Sequence, residues 1–154
     1  MPGATPSFRI KRIKEVIFYI NENLFVDDPQ RKVNIDLKPL LGHNVSDNSI
    51  VVIIRVFFHY EGVDPLPENT LVEIQVQNLY EFDELRSFIN ESNLVILPEQ
   101  TIVELMALSI SHTRALAAKA VAGTSYENLL LPAFDSDKAA RLFFGYMFGS
   151  PGRV

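Results

Sequence analysis

The period of apolar positions changes along this chain. Residues 1–7 carry two Pro and one Gly without apolar patterning, which predicts a flexible arm. From Phe8 the chain alternates: Phe8 and Ile10 against Arg9 and Lys11. The alternation then slips, because Ile13, Val16, Phe18 and Ile20 do not share one parity. A bulge near Arg12 would absorb that slip. Asp27-Asp28-Pro29 reads as a turn. A second strand spans Lys32 to Lys38, with Val33, Ile35 and Leu37 inward, and Gly42 to Asn48 reads as a loop. Ile50 to Tyr60 is a long third strand, apolar on both faces except for Arg55 and His59. Such a strand needs cover on both sides, from its own chain or from a partner subunit. Thr70 to Phe82 is a fourth, with Val72, Ile74, Val76, Tyr80 and Phe82 on one face and Glu73, Gln75 and Gln77 on the other. Short polar links between the four predict an antiparallel meander.

After Asp83 the period becomes helical. Glu84 to Asn90 fits a short helix. Glu99 to Ala122 fits a long one, with Ile102, Leu105, Met106, Ile110, Ala117 and Val121 near one face and an Ala-rich second half. Small side chains there let another backbone approach closely. Gly123 stands where a left-handed C-terminal cap is needed. Thr124 to Phe134 is an apolar loop, and Asp135 caps a last helix from Ser136 to about Phe148. The predicted fold class is α+β: a four-stranded antiparallel sheet followed by a long helix and a short C-terminal helix. It forms one domain over 8–148, with a short tail at 149–154.

Composition narrows the function. The 154 residues hold 14 Lys and Arg against 19 Asp and Glu, a net charge of −5, which argues against the nucleic-acid backbone as the main ligand. The absence of Cys excludes disulfides, thiolate metal sites and Cys nucleophiles. No apolar run approaches the ~20 residues of a membrane helix, and MPGATPS lacks the basic start and apolar stretch of a secretory signal. The expectation is a cytoplasmic protein without membrane insertion. His43, His59 and His112 have no ligand partner at helical spacing, and no phosphate-loop, dinucleotide, zinc-protease or serine-hydrolase motif occurs. Asp27-Asp28 reads as turn chemistry and Asp135-Ser136-Asp137 as a helix start. No nucleophile, base and orienter stand together, so the expectation is no enzyme, no cofactor and no metal. The basic cluster Arg9, Lys11, Arg12 and Lys14 has two readings, an anionic partner or the wet face of an edge strand, and the second is favoured.

What stands out is apolar surplus: 11 Phe and 5 Tyr in a small domain. The second face of the third strand (Val51, Ile53, Phe57), the loop from Tyr126 to Phe134, and the run Phe143 to Phe148 all exceed what one core hides easily. Large apolar patches on a soluble monomer mark an interface or a binding groove.

Two stretches give that surplus a precedent. The start FRIKRI, and above all AGTSYENLLLPAFDSDKAARLFF, resemble the SecB export chaperones. Those proteins have a Gly-Thr pair ending the long helix, alternating leucines before a Pro, and a Phe-Asp pair opening a last helix with Leu-Phe. Here these are Gly123, Thr124, Leu129, Leu131, Pro132, Phe134, Asp135, Leu142 and Phe143, with an extra turn's worth of residues before Leu142. The resemblance implies an ATP-independent holdase, a homo-oligomer built as a dimer of dimers, which binds unfolded polypeptide clients for protein export and passes them to SecA. It implies client contacts at Tyr126, Leu129, Leu130 and Phe134; Phe57, Tyr80 and Phe82 join them from the strand pattern. SecA docking would need acids on the first and fourth strands, where Glu15 and Glu73 are the candidates. The first strand is otherwise basic, so a SecB-like chaperone or adaptor dedicated to one partner, such as an antitoxin, is the alternative. A small-molecule binder with an apolar pocket is a third reading.

Overall fold

Alternating apolar residues carry four segments into strands: β1 (Phe8–Ile20), β2 (Val33–Asn44), β3 (Ser49–Tyr60) and β4 (Val72–Phe82). Helical spacing gives α1 (Glu99–Val121) and α2 (Ser136–Phe144). The computed structural model describes residues 5–149, so most of the predicted arm and the tail beyond Gly149 lie outside the described residues. The short helix expected over Glu84 to Asn90 is a single 3-10 turn, Leu85–Phe88. The last helix stops at Phe144, and a 3-10 turn, Gly145–Met147, follows it.

The sheet is antiparallel as expected, but it is not a simple meander. Its strand order is β1-β4-β3-β2. Hairpins join β2, β3 and β4, and β1 pairs with β4. This is a Greek key, and residues 21–32 must cross from one edge of the sheet to the other. β2 also runs to Asn44, through Pro39 and into the stretch from Gly42 that reads as a loop. As an edge strand it tolerates the missing Pro N–H. β1 carries two register shifts against β4, one between Ile10 and Arg12 and one between Glu15 and Ile17. The first is the predicted bulge.

α1 covers one face of the sheet. Ile102, Leu105, Met106 and Ile110 bury themselves against Ile50, Val52, Ile54 and Val56 of β3 and Val72, Ile74 and Val76 of β4. Polar groups within this layer are paired. The Tyr80 hydroxyl lies 2.7 Å from Ser109 Oγ. Asn78 Nδ2 donates to the Val52 carbonyl at 3.2 Å. Its Oδ1 must therefore accept, which places a proton on Nδ1 of His112, 2.7 Å away. Burial lowers the His112 pKa, so the neutral ring is favoured. No buried side-chain polar atom lacks a partner among the described residues.

The helix ends follow the local chemistry. Gly123 has φ +76°, the left-handed conformation expected of it. Asp135 accepts a hydrogen bond from the Lys138 N–H at 3.1 Å and caps α2. Asp135→Ala is expected to cost about 1 kcal/mol, read as a lower midpoint in urea denaturation with an unchanged slope.

The other face of the sheet has no covering layer among the described residues. Val51, Ile53 and Phe57 are half-buried there. Phe57 is roofed by its own neighbours, with Arg55 Cζ 4.6 Å and Lys38 Nζ 5.2 Å from its ring centroid. Phe57 is thus screened by long cationic side chains, whose stems pack on apolar surface, while Val51 and Ile53 stay partly open.

Candidate functional site

The crossover between β1 and β2 carries an apolar pair, Phe25-Val26, in an otherwise polar stretch. The fold holds it against the loop that follows α1. Tyr126 of that loop is buried, donates its hydroxyl to the Asn21 carbonyl at 2.7 Å, and meets Phe25 edge to face at 5.4 Å. Glu22 accepts from the Ser125 N–H at 2.9 Å. The Tyr60 hydroxyl accepts from the Val26 N–H at 2.8 Å. Burial, with smaller contributions from Tyr60, Glu22 and Tyr19, pushes the Tyr126 phenol up to about 12, so it stays a neutral donor.

Between crossover and loop lies a hollow of ≈ 380 Å³. Phe25, Val26, Val33, Tyr60, Tyr126 and Leu129 give it an apolar floor, while Asp27, Asp28 and Arg31 stand on its rim. Leu130 stands beside Leu129 with 62% of its surface exposed. This hollow adjoins the end of β1, whose helix side is also apolar and largely open: Ile10, Ile13 and Phe18 are exposed there because α1 sits over β3 and β4 instead. The far edge of β1 has no strand beside it among the described residues. Open apolar side chains and unpaired backbone groups therefore occur together, a combination that soluble proteins normally blunt.

The residues predicted for client binding divide three ways. Leu129, Leu130 and Phe134 lie on the loop with accessible surface. Phe57 lies on the opposite, open face of the sheet. Tyr80, Phe82 and Tyr126 are buried and hold the fold together. Tyr80 has no exposed surface, because β4 turns its even-numbered side chains toward α1, so it and Phe82 offer nothing to a surface ligand. The two candidate docking acids are separated as well. Glu15 pairs with Val76 on the helix side of the sheet, whereas Glu73 is on the open face in an ion pair with Arg55 at 2.7 Å. Phe25, Val26 and Tyr60 escaped the sequence reading, although an apolar pair next to Asp27-Asp28-Pro29 was the available signal.

Among the described residues no group of three or more His, Asp or Glu side chains is placed to hold a metal ion, and no helix is long and apolar enough to cross a membrane.

No family model and no curated protein sequence matches the chain. Solved structures do. One similar chain is the Mycobacterium tuberculosis Rv1957 SecB-like chaperone in complex with a ChAD peptide from the Rv1956 HigA1 antitoxin. The likeness has a TM-score of 0.58 at 10% sequence identity and covers 82% of this chain and 90% of that one. Four antiparallel strands, the long helix and the short final helix recur across most of both chains, so this protein has the SecB-like fold.

Proposed function

We propose that this chain is an ATP-independent holdase that binds non-native polypeptides. The observation that carries the reading is the open apolar strip on the helix side of β1, with the hollow lined by Phe25, Tyr126 and Leu129 near its end at Asn21. Unfolded chains expose apolar side chains and free backbone groups, and this strip offers both complements. Adaptable apolar surface suits varied sequences better than a rigid pocket. The SecB-like fold and the polypeptide named with the Rv1957 chaperone support the same reading. Self-association belongs to it. Two copies covering each other along β1, with the exposed Ala115 and Ala118 of α1 allowing close helix contact, would remove an edge that is hazardous alone.

The test is dilution of two unrelated unfolded proteins from denaturant, with and without this chain and without nucleotide. Suppression of aggregation of both is expected, together with a dimeric or tetrameric mass by light scattering. Suppression of neither overturns the general holdase. A second reading, a chaperone dedicated to one partner, is favoured over export by the placement of charge. Glu15 and Glu73 are on opposite faces of the sheet and Glu73 is already paired, which leaves little for SecA to grip. Capture of a single protein with no effect on unrelated clients would select it.

A further inference from the structure

The chain is acidic overall, yet one face of its sheet is basic. Arg9, Lys11, Arg12 and Lys14 alternate in parity across Lys11, so an unbroken strand would send two of them to each side of the sheet. The register shift between Ile10 and Arg12 changes that. Arg9 pairs with Glu81, Arg12 with Leu79 and Lys14 with Gln77, all odd-numbered positions of β4 that face away from α1. Lys11 reaches the same side, with its ammonium 3.9 Å from Glu81. The bulge thus gathers all four cations on the open face. Lys38 of β2 and Arg55 of β3 join them in one cross-strand row with Gln75.

Six cations therefore share this face with three anions, Asp36, Glu73 and Glu81, a balance of +3 in a chain of net charge −5. Glu81 is held by Arg9 through a 2.7 Å hydrogen bond, and Glu73 by Arg55. Among the described residues Arg12, Lys14 and Lys38 have no acidic partner. Between them lie Leu79, Val51 and Ile53, half-buried, and Leu40, 62% exposed. The face is an apolar centre framed by unpaired cations.

We infer that this open sheet face is a docking site for an extended acidic polypeptide segment with interspersed apolar residues, separate from the apolar strip proposed for clients. Charge complementarity selects the occupant. Arg12 and Lys14 are two residues apart, so their side chains recur at about 7 Å, the repeat of alternate side chains in an extended peptide. A peptide with acids at alternate positions matches that spacing and sets its apolar residues over Leu79 and Ile53. A nucleic acid fits less well, because Glu81, Glu73 and Asp36 interrupt any continuous phosphate track.

The experiment measures fluorescence anisotropy of three labelled synthetic peptides of equal length: Glu alternating with Leu, Lys alternating with Leu, and Gln alternating with Leu. The full chain is the binder. The Glu peptide is expected to bind most tightly and to be released when salt is raised to about 1 M, where the screening length is about 3 Å. Arg12→Glu with Lys14→Glu is expected to weaken it about tenfold. Lys38→Glu, on the opposite edge of the sheet, is expected to weaken it several-fold without touching β1. Lys119→Glu with Lys138→Glu, off this face, is expected to change nothing. Light scattering checks that each variant keeps its mass; if the β1 variant alters it, the Lys38 variant decides. Equal binding of the three peptides, insensitivity to both face variants, or tighter binding of an oligothymidylate would each overturn the inference. Aggregation suppression is read separately, so acidic-peptide binding without suppression strikes the holdase reading and leaves this one standing.

Discussion

Raising the pH from 10 to about 12 is expected to destabilise this fold steeply, because two buried phenols resist ionisation. Burial pushes Tyr80 from 10.0 up to about 12, against a smaller opposing effect of its hydrogen bond with Ser109, and Tyr126 is pushed up to about 12 as well. Ionisation is easier in the unfolded chain, so the stabilisation is complete below pH 10 and disappears as pH rises through the folded-state value. For Tyr80 alone a rise of this size corresponds to about 2–3 kcal/mol, a large share of the 5–15 kcal/mol typical of a domain. Urea midpoints taken at intervals from pH 8 upward should fall only beyond 10, and tyrosinate absorbance should show late titration of two tyrosines. Tyr80→Phe should lose about 1 kcal/mol at neutral pH with its hydrogen bond and then decline less at high pH. A midpoint that stays flat to pH 12 would mean that Tyr80 ionises as freely in the fold as out of it.

The second large effect concerns clients. Phe25→Asp together with Leu130→Asp should abolish aggregation suppression while leaving circular dichroism and oligomer mass unchanged. Both side chains are exposed, Phe25 at the floor of the hollow and Leu130 beside it. Burying a fully exposed apolar side chain contributes about 1.5–3 kcal/mol; with Phe25 39% and Leu130 62% exposed, losing both weakens holding by about ten- to a hundredfold. Tyr126→Asp is the poor choice, since Tyr126 is buried and ties the loop to Asn21. Full suppression by the double variant would place the client surface elsewhere, along the outer edge of β1.

Local pattern carried much of this fold and little of its arrangement. Strand identity was plain in Val72–Phe82, where strict alternation gives strict alternation of burial. The bulge near Arg12 was readable because parity slips leave a trace. Strand order was not readable: alternation reports which face a residue takes, and nothing in Phe8–Ile20 says that its neighbour is β4. The same limit explains the site. Tyr80 and Phe82 were known to share a face, but not that the face was the one under α1. β2 outruns its clean alternation over Lys32 to Lys38, since an edge strand accepts Pro39 where a central strand would exclude it. The loop leucines were found through their resemblance to SecB, whereas Phe25 needed the crossover path to be known.

The Greek key also sets an order of events at the ribosome. β1 is made first, yet its strand partner among the described residues, β4, begins about fifty residues later. At about 5–20 residues per second, the segment VIFYI waits several seconds with nothing to pair with. β2, β3 and β4 can meanwhile close as successive hairpins, and β1 then docks on the finished edge through the longest loop closure in the sheet. During its own synthesis this protein is for a time the kind of exposed apolar chain that its proposed work is to shield.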